Sequence, residues 1–129
     1  MSTRIDVLEE QFHLRFSQRH RSAIEDSSDP IHQRCDFLVA ESPFELLRFQ
    51  DVNETLHQQE LNRWPTFLVA FASNGCGDYF AYDLRAAPPK VIYMDPDHTV
   101  EENLNSDDIF WFPTFDAWYA YMSKASIGA

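Results

Sequence analysis

The chain has three glycines and two cysteines in 129 residues, and no apolar run near the ~20 residues needed to span a bilayer. So little glycine, beside seven prolines, excludes collagen-like and low-complexity architectures. Cys35 and Cys76 are too few for a disulfide scaffold, and free thiols are expected. The opening residues, Met1 to Glu10, lack the apolar core of a signal peptide, so a cytoplasmic location is expected. Bases are scarce as well: 10 Lys and Arg stand against 21 Asp and Glu, for a formal charge of −11. Phosphate backbones and anionic membranes repel such a surface, so neither nucleic acid nor membrane is an expected partner. A basic protein is permitted. Between Lys90 and Lys124 there is no Lys or Arg at all. The carboxylates Asp95, Asp97, Glu101, Glu102, Asp107 and Asp108 lie in that stretch uncompensated.

What is present is a core-forming composition. Hydrophobic residues make up 44% and aromatics 15%, enough for one packed domain over residues 1–129 and too much for a disordered tail. Ser2 or Thr3 can cap a first helix with Ile5, Leu8 and Phe12 on one face. Ser17 can cap a second, carrying Ala23 and Ile24, which ends at Ser27 to Pro30. Residues 35–40 and 44–49 read as two adjacent strands around the turn-prone Glu41-Ser42-Pro43. Asp51-Val52-Asn53-Glu54 has the spacing of a capping box that opens a helix with Val52, Leu56 and Leu61 apolar.

The clearest signal lies between Trp64 and Leu84. Residues 66–73 and 78–84 flank Asn74-Gly75-Cys76-Gly77, whose glycines tolerate the positive φ of a hairpin turn. These two segments are expected to pair antiparallel at the centre of a sheet. Phe67, Val69, Phe71, Phe80, Tyr82 and Leu84 should then be inside. Val91 to Met94 adds a strand after Pro88-Pro89. The acidic segment 95–108 reads as a loop with at most one helical turn. Thr114 caps a last helix with Phe115, Trp118, Tyr119 and Met122 at i, i+3, i+4 and i+7. The expected class is α+β: a mainly antiparallel, mixed central sheet with the N- and C-terminal helices on one face.

No candidate for chemistry has a full set of parts. Asp95-Pro96-Asp97-His98-Thr99-Val100-Glu101 alternates oxygen ligands like a calcium loop, but Val100 and Ser106 stand where an EF-hand needs Gly and Glu. His32 and Cys35 make one zinc-like pair without a second. Cys76 sits between glycines like an exposed nucleophile, yet no base is spaced to serve it. Asp78 beside Gly77 reads as a turn-closing residue. No catalytic residue, cofactor or metal site is therefore expected.

From Trp64 to Leu84 the chain resembles the SUKH superfamily of bacterial toxin-immunity proteins and fungal cell-wall synthesis regulators. The resemblance rests on a strand, the turn Asn74-Gly75-Cys76-Gly77, Gly77-Asp78, a second strand and Asp83 near its end. It continues through Pro89-Lys90-Val91-Ile92-Tyr93 and an acidic loop. It closes on the helix start Thr114-Phe115-Asp116-Ala117-Trp118, and Leu8-Glu9 in the leading helix is also similar. It implies that Trp64, Asn74, Gly75, Gly77, Asp78, Asp83, Phe115 and Trp118 are structural. It also implies a non-catalytic domain that binds and neutralises a cognate toxin domain of nuclease or deaminase type. The other readings are a regulatory or scaffold module of the same fold, and a small-ligand binder or acidic enzyme with a pocket near Cys76 and Asp78. Charge favours a basic partner, with Asp95, Asp97, Glu101, Glu102, Asp107 and Asp108 as the expected contacts. No oligomeric state follows from these residues.

Overall fold

A computed structural model describes residues 4–26, 28–33, 35–38, 43–74, 78–105 and 111–125. Helices α1 (Arg4–Phe12) and α2 (Gln18–Glu25) lead, and a 3-10 turn (Pro30–Gln33) follows. Then come β1 (Asp36–Phe37), α3 (Pro43–Gln58), β2 (Leu68–Ser73), β3 (Tyr79–Asp83) and β4 (Lys90–Met94). The chain continues through α4 (Val100–Asn105), β5 (Trp111–Phe112) and α5 (Phe115–Ala125). The strands lie in the order β1-β2-β3-β4-β5, and every pairing among the described residues is antiparallel. The class is α+β, with helices at both ends of the chain.

The 66–73 and 78–84 segments pair as β2 and β3, from Leu68 opposite Asp83 to Ser73 opposite Tyr79. The register slips at Phe71, where two β2 residues oppose one on β3. Side chains alternate across the sheet, so Val69, Phe80 and Tyr82 share the face covered by α2 and α5. There Trp118 stands 5.2 Å from both the Phe71 and Phe80 rings and is fully buried with Phe71. Phe67 and Leu84, at the ends of the pair, are only half-buried, and the Arg85 guanidinium lies over the Phe67 ring at 4.2 Å. Met122 is half-buried too. Leu68, Ala70, Ala81, Ile92 and Met94 alternate onto the other face and are buried, with α4 packed against β4.

Two expected elements are different. Residues 44–49 are not a strand: they lie in α3, a helix of 16 residues that runs through Asp51 to Glu54 without a break. Pro43 suits a first helical position, since its ring presets φ and its missing N–H has no helical partner there. Phe49, Val52, Asn53 and Leu56 then form one inward stripe at i, i+3, i+4 and i+7. Both alternating faces of 44–49 carry apolar residues, so the period of two was weak evidence. The helix stops at Gln58, and Leu61 is 86% exposed rather than core. Of the expected 35–40 strand, only Asp36–Phe37 pairs as strand, extended by Leu38 N–H on the Phe71 C=O at 2.9 Å; residues 39 and 40 lie outside the described residues.

Because β1 is so short, β2 has backbone groups that no strand reaches among the described residues. Asn53 fills one gap: its Oδ1 accepts from Ala70 N–H at 2.7 Å and its Nδ2 donates to the Ala70 C=O at 2.9 Å. One turn later, His57 Nε2 donates to the Leu68 C=O at 2.7 Å. α3 thus closes the edge with side chains at i and i+4.

His20 is a polar residue in the middle of the core, fully buried. Ser17 starts its helix by accepting from the His20 N–H at 3.1 Å. The His20 ring stacks on Phe115 at 4.3 Å, and its Nδ1 is hydrogen-bonded to the Tyr82 hydroxyl at 2.5 Å. Burial first, and the Arg21 charge second, lower its pKa from 6.5 to about 3, so the ring is neutral.

Two outcomes follow from these contacts. Asn53→Ala leaves both Ala70 groups without their partner and should lower the unfolding free energy by about 2–4 kcal/mol. The exposed control Glu54→Ala should change it by less than about 0.5 kcal/mol, both read by urea titration. As pH falls through 6.5, unfolded chains bind a proton at His20 that the folded state refuses. Stability should drop by up to about 1.4 kcal/mol per pH unit on this account. His20→Phe should remove that component between pH 6.5 and 5, whatever it does to absolute stability. Identical slopes for the two proteins would overturn the neutral, buried assignment.

Candidate partner-binding site

The acidic segment after β4 is folded tightly. Met94 is buried, and the chain then turns at Asp95, whose Oδ1 accepts from Asp97 N–H at 2.8 Å while its C=O accepts from His98 N–H at 3.1 Å. Pro96 presets the φ that such a turn needs at its second position. Thr99 and Glu102 form a capping box: Thr99 N–H donates to Glu102 Oε1 at 2.8 Å and Glu102 N–H to Thr99 Oγ1 at 3.0 Å. α4 follows, with Val100 and Asn103 turned inward.

Two asparagines brace this segment, Asn103 from within it and Asn62 from the loop after α3. Asn103 Oδ1 accepts from Asp95 N–H at 3.1 Å, and its Nδ2 donates to the Asp95 C=O at 2.9 Å and the Thr99 C=O at 3.0 Å. Asn62, in the loop after α3, accepts from Val100 N–H at 2.6 Å and donates to the His98 C=O at 3.0 Å. Asn62 has a φ of 55°, a left-handed conformation that asparagine tolerates better than most residues.

The structure brings Asp95, Asp97, Glu101 and Glu102 together on this unit; Asp107 and Asp108 lie outside the described residues. The four are not equivalent. Asp95 is half-buried and ties the turn, whereas the Thr99 N–H and then the Thr99 side chain hold Glu102 below the usual carboxylate range. Asp97 and Glu101 are exposed, and their carboxylates take no part in these bonds. Beside them a cleft of about 300 Å³ opens between the end of α3 and the β4–α4 turn. Its walls include Thr55, Leu56, Gln59, Tyr79, Asp95 and Pro96. Composition pointed to the acids, but nothing in the residues announced this cleft. The nearest signal is an asparagine in the polar stretch before Trp64-Pro65.

Of the residues singled out as structural, Trp64 also lines this cleft and the others lie elsewhere. Trp64 is buried edge-on to Tyr79. Asn74 accepts from Asp78 N–H at 3.3 Å and donates to its carboxylate at 3.2 Å, and the Tyr93 hydroxyl also donates to Asp78. Gly75, Cys76 and Gly77 lie outside the described residues. Asp83 is buried; burial alone would raise its pKa, but hydrogen bonds from the Arg85 side chain and N–H hold it below the usual range. Phe115 and Trp118 are core. A second groove, of about 600 Å³, lies at the other end of β3 from Asp78, where Phe16, Tyr82, Pro88, Pro89 and Phe115 line it. Among the described residues, no three His, Cys, Asp or Glu side chains lie together as metal ligands, and no helix is long and apolar enough to cross a membrane.

A family model described as SMI1 / KNR4 family (SUKH-1) matches residues 2–121. No curated protein and no solved structure matches.

The capping box makes the acidic segment sensitive to acid. Glu102 titrates below its unfolded value, so the cap is complete above that value and is lost as pH falls through the lower folded one. Thr99→Ala should move the Glu102 titration upward, toward 4.5, in carbon-detected carboxyl NMR. Because the substitution keeps the N–H donor, an unmoved titration would mean that the Thr99 hydroxyl has no part in holding this carboxylate.

Proposed function

Because the chain belongs to the SMI1 / KNR4 family (SUKH-1), we propose that it is a non-catalytic domain that binds and neutralises a basic toxin domain of nuclease or deaminase type. The observation that carries this reading is the acidic segment, whose carboxylates sit on a turn and helix anchored through backbone bonds by Asn62 and Asn103. Concentrated charge of one sign repels itself, and here it is held in place rather than left to spread. A nuclease domain needs a positive surface to approach phosphates. An acidic surface of fixed shape speeds encounter with such a domain and, once docked, covers the groove through which the nucleic acid enters.

Asp97 and Glu101 separate steering from folding, since Asp95 and Glu102 also hold the segment together. With a basic toxin domain that co-expression of this chain neutralises as partner, Asp97→Asn with Glu101→Gln should slow association roughly 3–10-fold at low ionic strength and flatten its salt dependence. The dissociation rate should stay within about twofold. Stopped-flow binding reads both, and co-expression reads protection from the toxin. An association rate that does not respond to the two amides would remove the acidic segment from the interface.

A further inference from the structure

Resting on that reading, we infer that the cleft between the end of α3 and the β4–α4 turn is a slot for one arginine side chain of the partner. Asp95 is the single charged residue among those that line it, and the remaining lining is uncharged: Thr55, Leu56, Gln59, Trp64, Tyr79 and their neighbours. Its volume of about 300 Å³ is at the bottom of the range for small-molecule pockets, so it suits one long side chain better than a cofactor. The larger groove beside Phe16 carries both Arg15 and Asp116 in its lining and selects neither sign.

The chemistry of the walls distinguishes arginine from lysine. A guanidinium is planar and weakly hydrated, pairs with a carboxylate through more than one N–H and lies against aromatic rings; an ammonium is a compact, strongly hydrated charge. The slot offers the Asp95 carboxylate, whose Oδ1 also accepts from Asp97 N–H and whose Oδ2 lies 3.9 Å from His98 Nε2, with a half-buried tyrosine and the apolar surface of Leu56, on which the arginine stem can rest. The walls are set before binding: Asn103 fixes the Asp95 backbone on one side, and Asn62 joins the α3 loop to the β4–α4 segment. A preformed slot loses little freedom when it is filled.

The probe is acetyl-Ala-Arg-Ala-amide, titrated into the whole chain and followed by amide NMR, with the citrulline and lysine tripeptides as comparisons. Saturable shifts are expected at Gln59, Tyr79 and Asp95 with the arginine peptide, and none with citrulline. Thr55→Trp, a bulky residue at an exposed helical position that leaves the charge unchanged, should abolish them. Asp95→Asn should weaken binding at least fivefold, and the NMR spectrum shows whether each variant is folded. Equal shifts from citrulline, or shifts that survive Thr55→Trp, would overturn the slot. Equal binding of the lysine peptide would overturn the choice of guanidinium. The two readings fail separately. Shifts that survive Thr55→Trp but vanish with salt remove the slot and leave the acidic surface. An association rate unaffected by Asp97→Asn with Glu101→Gln, beside shifts that Thr55→Trp abolishes, removes steering and leaves the slot.

Discussion

Strand β2 has a longer edge than its outer neighbour can cover, and most of the architecture follows from how that edge is closed. Backbone N–H and C=O groups inside a protein must find partners. β1 pairs only with Ala72 and Ser73, which leaves Ala70 and Leu68 facing away from β3. Asn53 and His57 supply what a longer strand would have supplied, and to do so α3 must run along the sheet edge. That path brings the loop after Gln58 beside the end of β4, where Asn62 meets His98 and Val100. The cleft is therefore a consequence of edge closure. An open edge would also be a template for pairing with other chains, and α3 removes it.

Asparagine appears in this fold as a substitute peptide. Asn53 binds both polar groups of Ala70, Asn103 both of Asp95, and Asn62 bridges two residues of one loop. Each places a side-chain amide against backbone groups of another residue. The aromatic core works differently, through ring contacts among Phe71, Tyr82, Phe115 and Trp118 around a neutral imidazole. There His20 Nδ1 and the Tyr82 hydroxyl meet each other amid the stacked rings.

The central hairpin, the Ser17 cap and the Thr114 helix were legible because each depends on neighbours in sequence: apolar alternation, a cap and its first turn, a repeat of three and four. The 44–49 segment was misread because Phe44 to Phe49 is apolar on both alternating faces, and only the continuation to Val52 and Leu56 reveals a period of 3.6. Leu61 looked like core because it extends that stripe, but the helix ends before it. β5 carries only Trp111 and Phe112, too short for any pattern. The acids of the site were visible as a gap in lysine and arginine. Thr99 and Glu102 carry the spacing of a capping box, but Thr99 read only as an oxygen ligand and Glu102 only as a partner contact. The clamps by Asn62 and Asn103 depend on which backbone comes near, and composition does not encode that.

In the acidic segment, the side chains that fasten and those that are displayed are different residues. Asn62, Thr99, Glu102 and Asn103 bind backbone, whereas Asp97 and Glu101 project into solvent without such a duty. Substitution at the displayed positions leaves the fastening intact, and substitution at the fastening positions changes the shape for every partner alike. The charge displayed on this surface can therefore be altered one residue at a time without loosening the scaffold beneath it.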